Sequence, residues 1–205
     1  GQSCYALSRT LVHEEIHDEF MALFAEAAAE WTLGDPLVEG TMVGPLASEQ
    51  QFDKVQEYVD IGQETDATLV TGGDAAEEFD RGWFVEPTIF DGVDNGDRLA
   101  QEEIFGPVAS VVTFGSYEEA IELANDIDYG LASAVATTDL SLAHRAAADI
   151  EAGTVWINDY ARFSPGLAFG GYKRSGIGRE CGAETLDEYR QAKTVAIATE
   201  DVSLE

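Results

Sequence analysis

Between residues 108 and 158 the chain alternates three short apolar runs with two segments of helical period, and no other feature constrains its fold as strongly. Residues 108–114 (VASVVTF), 131–137 and 154–158 read as strands. Ser116, with Glu119 three positions on, forms a capping box that opens a helix to about Ile127. Asp139 caps a second helix, with Leu142, Ala143, Ala146 and Ile150 on one face. A helix between two strands carries the chain back to the end where the first strand began, so the strands run parallel. Three such strands predict two βαβ units. The expected fold is therefore α/β, a parallel open sheet built from βαβ units with flanking helices.

Upstream, residues 8–12 favour β structure and lead into a helix with Ile16, Phe20, Leu23, Phe24, Ala27 and Trp31 on one face, stopped by Gly34-Asp35-Pro36. Ser48 and Gln51 form another capping box, whose helix carries Phe52, Val55 and Val59, and the strand 68–71 follows. Pro87 closes the run 82–87 and marks it as an edge strand or its end. Downstream, the glycine-punctuated loop 169–180 passes into a helix ending near Arg190. Residues 194–198 form a last strand set apart from the βαβ block.

Charge limits the partners. Forty Asp and Glu against eleven Lys and Arg give a net charge of −29, a surface that repels a polyanion, so no nucleic acid is expected. The acids come in ones and twos between apolar residues, as in Glu14-Glu15 and Glu118-Glu119, which suits the outer faces of ordered elements better than an acidic tail. We read them as a halophilic surface, in which abundant counterions screen the self-repulsion. Cys4 and Cys181 are too few for a disulfide framework and fit a reducing cytoplasm. No apolar run reaches the roughly 18 residues of a membrane span, and no signal-peptide pattern opens the chain. The start at Gly1 reads as a piece of something longer.

Two motifs point to chemistry that their context does not support. His13-Glu14-Glu15-Ile16-His17 has the H-E-x-x-H spacing of a zinc protease, but His13 falls at a strand-to-helix junction and no third ligand is near, so no metal is expected. Gly176-Ile177-Gly178 followed by Gly182 misses the dinucleotide spacing and follows no strand.

Four other segments agree with one another. Residues 1–9 (GQSCYALSR) match G-Q-x-C-x-A-x-x-R, and 101–108 (QEEIFGPV) contain E-E-x-F-G-P-V. Residues 125–131 (NDIDYGL) match N-x-x-x-Y-G-L, and 169–180 (FGGYKRSGIGRE) match F-G-G-Y-K-x-S-G-x-G-R-E. In this order and spacing they resemble the NAD(P)-dependent aldehyde dehydrogenase family over essentially the whole chain. The glycine-rich loop is closest to the betaine-aldehyde type.

The resemblance implies oxidation of a small aldehyde to an acid, through a thiohemiacetal and a thioester on Cys4 with NAD or NADP as hydride acceptor. It implies that Glu103 holds the nicotinamide ribose, that Phe105 packs beside the nicotinamide, and that Gln51 touches the adenosine side. Glu180 becomes an accessory group on a water and proton path; its structural alternative is a partner for Arg179 or Lys173. Ser3, Tyr5, Phe163 and Phe169 line a substrate tunnel, and Arg162 favours an anionic aldehyde. Residues 1–188 become the catalytic domain and 189–205 an oligomerisation strand and tail, in a cytoplasmic homodimer or homotetramer.

The family's dinucleotide-binding domain lies upstream of the nucleophile. So do its oxyanion Asn and the Glu that activates the deacylating water, so complete turnover by this chain alone is not expected. Two other readings stay open: an inactive remnant acting as an oligomerisation module, and a cofactor-free thiol esterase using Cys4.

Overall fold

The computed structural model describes residues 1–76 and 78–198. Strand β1 (Arg9–His13) passes through a 3-10 turn (Glu14–Ile16) into α1 (His17–Ala29). Then come α2 (Glu49–Gln63), β2 (Thr68–Thr71), β3 (Thr88–Asp91), α3 (Arg98–Gln101), β4 (Val108–Phe114) and α4 (Tyr117–Asn125). The last part holds β5 (Tyr129–Gly130), β6 (Ala132–Val135), α5 (Leu140–Asp149), β7 (Thr154–Ile157), β8 (Tyr172–Lys173) and α6 (Thr185–Glu188).

The helix starts follow from their caps. Ser48 Oγ accepts the Gln51 N–H at 3.2 Å and Ser116 Oγ accepts the Glu119 N–H at 3.3 Å. Asp139 Oδ1 accepts from the N–H groups of Ser141 and Leu142, at 2.8 and 3.2 Å. Each bond satisfies a backbone donor that the first turn of a helix leaves unpaired.

The main sheet has the order β1-β4-β3-β2; β4 runs parallel to both β1 and β3, and β2 is antiparallel to β3. Alternation along the strands sends side chains to two cores. Phe90, Val108 and Val112 meet Val55, Tyr58 and Val59 of α2, while Ile89 and Val111 meet Met21 of α1, with Phe20 and Phe24 beside it. Both faces are covered, which explains why the central strands read as unbroken apolar runs.

Of the two expected βαβ units, β6-α5-β7 forms, with β6 and β7 parallel in a sheet of their own. The unit β4-α4-β6 does not close into one sheet. Both edges of β4 are already taken by β1 and β3, so β6 has no place beside it.

The expected edge strand at 82–87 is also displaced. Within it Trp83 and Val85 make only isolated bridges, to Leu46 and Ala75, and the buried strand β3 begins just after Pro87. Proline has no N–H to give a ladder, so pairing starts beyond it.

The helix expected to end near Arg190 is a single turn, α6. The oligomerisation strand expected at 194–198 is not formed: residues 191–198 lie in no helix or strand among the described residues. An extended segment becomes a strand only when a second strand supplies its hydrogen bonds. The remainder of the expected tail, 199–205, lies outside the described residues.

His17 ties α1 to the end of β3, its Nε2 2.8 Å from Asp91 Oδ1 and its Nδ1 3.1 Å from Asp18 Oδ1. The hydrogen bond to Asp91, then that to Asp18, raise its pKa above the ordinary histidine value. Because the folded pKa is the higher one, this stabilisation is complete below the unfolded value of about 6.5 and is lost as pH rises through the folded value. Asp91→Asn is expected to flatten that part of the pH–stability profile, read by urea unfolding between pH 5 and pH 9. An unchanged profile would show that the pair contributes nothing.

Candidate active site

Cys4 sits on a turn closed by the Ala6 N–H donating to the Ser3 carbonyl at 3.0 Å, with a second bond from the Ser3 N–H to the Gly1 carbonyl at 2.9 Å. The turn leaves the thiol exposed. Beyond it, β1 is pinned by Arg9, whose guanidinium donates to Asn95 Oδ1 at 2.6 Å and to the carbonyls of Leu123 and Ala124 at 2.8 and 2.9 Å. Those carbonyls lie in the last turn of α4, where cations are favoured, so the arginine of the first motif anchors the segment that carries Cys4. Burial lowers its pKa, and nearby Asp126 opposes that shift.

The two ends of the Cys4 turn touch different parts of the fold. At the N-terminal end, Gln2 Oε1 accepts the Ala47 N–H at 3.1 Å, just ahead of α2. Gly1 lies so close to the 105–107 loop that a Cβ on it would come within 1.8 Å of the Gly106 carbonyl oxygen. At the C-terminal end, the Tyr5 ring packs edge-on to Phe163 at 4.9 Å and to Phe169 at 6.4 Å, and its carbonyl accepts from the Tyr160 hydroxyl at 3.1 Å. Phe163 also meets Phe169 at 5.0 Å and Trp156 at 5.7 Å. Trp156, Phe163 and Phe169 border an open cleft of about 640 Å³ that includes Leu167 and Cys181, with Tyr5 packed on the rings of Phe163 and Phe169 outside its lining.

Glu180 is exposed and reaches this cluster through its backbone, which exchanges two hydrogen bonds with Phe169, at 2.7 and 2.8 Å. Its expected ion-pair partners bond elsewhere. Arg179 donates to the carbonyls of Gly171 and Gly178, and Lys173 to those of Asn125 and Ile127 and to Glu151. Arg162 faces Asp159 at 3.3 Å, which offsets its charge, and the Arg162 carbonyl accepts from the Trp156 indole.

On the other side, the segment Glu102-Glu103-Ile104-Phe105 crosses the start of α2. Gln51 Nε2 donates to the carbonyls of Ile104 and Phe105 at 2.9 and 3.2 Å, and Lys54 Nζ donates to that of Glu103 at 2.6 Å. Glu103 itself is exposed. Phe105 has φ 61°, in the left-handed region that costs a residue with a Cβ about 1–2 kcal/mol. The hydrogen bonds from Arg98, then that from the Tyr58 hydroxyl, hold the Glu102 carboxyl below the usual range; burial, then the bond to Glu102, push the Tyr58 phenol up.

The histidines of the H-E-x-x-H spacing bond to separate partners, one to backbone and one to carboxylates. His13 Nδ1 accepts the Glu15 N–H, while His17 faces Asp91. Among the described residues no group of three or more His, Cys, Asp or Glu is gathered where it could hold a metal ion. No helix there is long and apolar enough to cross a membrane.

The model of the Aldehyde dehydrogenase family matches residues 1–195. The chain belongs to the aldehyde dehydrogenase family. It is 46% identical over 202 residues to an aldehyde dehydrogenase of Alternaria alternata, covering 98% of this chain and 40% of that protein. An aldehyde dehydrogenase of Emericella nidulans is 46% identical over 195 residues, covering 95% of this chain and 39% of its own length. The chain thus spans about two fifths of the curated relatives it matches. Among solved structures, an indole-3-acetaldehyde dehydrogenase of P. syringae in complex with NAD+ and IAA superposes with a TM-score of 0.90 at 47% identity, over 92% of this chain and 38% of that one. A betaine aldehyde dehydrogenase of Staphylococcus aureus in complex with NAD+ gives 0.89 at 41%, over 92% and 39%.

In this aldehyde dehydrogenase chain the residues named from sequence fall into two groups. Tyr5, Phe163, Phe169 and the backbone of Glu180 come together on one side, Gln51, Glu103 and Phe105 on the other, and the turn carrying Ser3 and Cys4 spans them. Sequence reasoning missed Tyr160 and Trp156, which complete the aromatic cluster, and Lys54 and Tyr58, which hold the 102–105 segment. The available signal for the last two was their spacing of three and seven from Gln51, one stripe of α2.

Proposed function

We propose that Cys4 is the nucleophile of an NAD(P)-dependent aldehyde oxidation, with residues 1–188 forming the catalytic part and 189–205 an oligomerisation segment. The observation that carries this reading is the bridging turn: an exposed thiol on a turn that joins an aromatic cluster, through Tyr5, to a loop that presents a carboxylate, through Gly1.

The residues fit a nicotinamide cofactor. Glu103 is anchored by its carbonyl and keeps its carboxylate outward, as a group accepting from a ribose diol must. Phe105 follows it on the same rigid segment. When bound, NAD+ or NADP+ supplies a two-electron acceptor for the hydride of the aldehyde carbon.

The chain does the rest of the positioning. Cys4 Sγ, as thiolate, forms a bond to the aldehyde carbon and leaves the negative charge on the former carbonyl oxygen. Once that carbon is oxidised, Sγ carries a thioester. Water then adds to the thioester carbon, the carbon–sulfur bond breaks, and the acid leaves with Cys4 restored. Tyr5, Phe163 and Phe169 exclude bulk water from this carbon, and Glu180 serves as the accessory carboxylate on the proton path. The solved relatives named for indole-3-acetaldehyde and betaine aldehyde support a small aldehyde, because aromatic walls suit both a flat ring and a quaternary ammonium.

Val195 and Ile197, 71% and 80% exposed at alternate positions, support a tail that becomes a strand against a neighbouring copy in a homodimer or homotetramer. The acidic surface supports work in a salt-rich cytoplasm. In concentrated KCl the full-length protein is expected to reduce NAD+ or NADP+ with members of an aldehyde panel. Glu103→Gln is expected to raise the cofactor KM about tenfold or more, as loss of charged hydrogen bonds does. Ester hydrolysis without any cofactor reduction would favour the thiol esterase, and no activity at all the inactive remnant.

A further inference from the structure

Helix α4 ends in four carbonyls, those of Leu123, Ala124, Asn125 and Asp126, that no later turn of the helix can satisfy. Side chains from elsewhere in the chain take all four. Arg9 donates to those of Leu123 and Ala124 at 2.8 and 2.9 Å, Lys173 Nζ to that of Asn125 at 2.6 Å, and Gln101 Nε2 to that of Asp126 at 2.8 Å. Lys173 also reaches the Ile127 carbonyl at 3.2 Å and the Glu151 carboxylate at 2.7 Å.

The donors come from distant parts of the sequence. Arg9 closes the segment that carries Cys4, Gln101 opens the one that carries Glu103, and Lys173 lies in the loop of Phe169 and Glu180. Asn125, which opens the fourth segment, forms the helix end itself. All four segments therefore meet at one place, and none of these four side chains is among the groups assigned to cofactor or aldehyde.

The meeting point is braced. Asn95, 7% exposed, accepts from Arg9 at 2.6 Å and donates to the Asp126 carboxylate at 3.2 Å. The Asn125 amide bonds to the backbone of Asp149 and of Glu151, at 2.8 Å each. Cations suit the place, because the carbonyl end of a helix carries partial negative charge. Lys173 holds φ 52°, a left-handed conformation that a residue with a Cβ keeps only where its surroundings over-determine it.

The two sides of the site lie on different sheets. Strand β1 belongs to the main sheet and β8 to the two-stranded sheet with β5, so no strand pairing among the described residues sets Cys4 against the 169–180 loop. We infer that Arg9 and Lys173 are positioning residues: both hold the end of α4, which thereby registers the Cys4 segment against the loop that carries Phe169 and Glu180. The inference rests on the reading of Cys4 as the nucleophile and of that loop as its aldehyde side. Releasing either donor lets one segment shift against the other, and the thiol then meets the aldehyde less often in the attacking geometry.

The test uses the full-length protein with Lys173→Met, Lys173→Arg, Arg9→Lys and the double variant Arg9→Lys/Lys173→Met. Lys173→Met keeps the carbon stem, and Arg9→Lys keeps the charge but loses the fork that spans two carbonyls. Lys173→Met and Arg9→Lys are each expected to lower kcat/KM for the aldehyde about tenfold or more, as loss of charged hydrogen bonds does, with the Kd for NAD(P)+ unchanged. Lys173→Arg is expected to keep most of the activity. The double variant should be little worse than the poorer single one, because a register once lost is not lost again. Losses that multiply would show two independent anchors and overturn the shared register. An equal rise in the Kd for NAD(P)+ would mean general loosening, and a lower urea midpoint with full kcat/KM a purely structural role; either overturns the inference. If Arg9→Lys does not fold, Lys173→Met decides alone: a kcat/KM loss that Lys173→Arg avoids supports the inference, and an unchanged kcat/KM overturns it. Cys4→Ser in the same assay tests the underlying reading separately. Activity kept there removes the site; activity lost there, with the other variants at wild-type values, removes only the inference.

Discussion

Replacing Cys4 by serine in the full-length protein is expected to lower kcat/KM for aldehyde oxidation by about ten-thousandfold or more, the scale on which loss of a covalent nucleophile is felt. A serine hydroxyl at the same place is far less ionised than a thiol, and an alkoxide leaves an acyl group less readily than a thiolate. Both halves of the reaction therefore suffer. The unfolding midpoint should stay where it was, because Cys4 is exposed on its turn and the backbone bonds of that turn do not involve its side chain. Cys181→Ser is the control: that thiol borders the aromatic cleft and is also exposed, but it lies outside the turn that joins the aromatic cluster to the Glu103 loop. Steady-state kinetics with urea unfolding on the same samples separates loss of chemistry from loss of fold. A Cys4→Ser protein that keeps even a tenth of its activity would remove Cys4 from the mechanism.

The largest expected effect on stability comes from Phe90→Ala, at about 3–5 kcal/mol. Phe90 is fully buried in β3, between the sheet and α2. Its ring fills the space that a helix residue would otherwise claim: a Cβ on Gly62 would come within 2.6 Å of Phe90 Cζ. Truncation leaves a cavity there that the helix cannot close without leaving the sheet. Such a loss is a large share of the roughly 5–15 kcal/mol that holds a domain folded. It should also reach the site, because α2 carries Gln51 and Lys54, and Thr88 at the start of β3 donates its N–H to the Pro107 carbonyl at 2.8 Å. Ile89→Val, on the opposite face, shortens one buried side chain by a methyl group and should cost only about 0.5–1.5 kcal/mol. Denaturant unfolding compares the two; a Phe90→Ala loss no larger than that of Ile89→Val would place the centre of the core elsewhere.

The parts of the fold that were legible in sequence are those set by local chemistry. Ser48, Ser116 and Asp139 announced their helices because a side-chain oxygen beside free N–H groups needs nothing distant. The run 108–114 announced a strand buried on both faces. What failed was decided by partners. No local pattern says that β1 and β3 occupy both edges of β4, and that alone keeps β6 out of its sheet. Pro87 drew attention to the residues before it, while pairing begins just after it. The segment 194–198 has the alternation of a strand, but the described residues offer it no strand to pair with.

The site divides in the same way. Motif resemblance named Cys4, Glu103, Phe105, Phe163, Phe169 and Glu180 one at a time. It did not say that Tyr160, 155 residues from Tyr5, would hold that residue's carbonyl, or that Tyr58 would reach Glu102 across 44 residues. Such contacts exist only once the chain has folded.

The most direct measurement is mass spectrometry of the full-length protein, acid-quenched within milliseconds of mixing with an aldehyde and NAD(P)+. The account predicts an acyl adduct, heavier than the free enzyme by the aldehyde less two hydrogens, on the peptide containing Cys4 and missing from the Cys4→Ser protein. Product formation with the adduct on Cys181, or with no covalent adduct at any quench time, would contradict it.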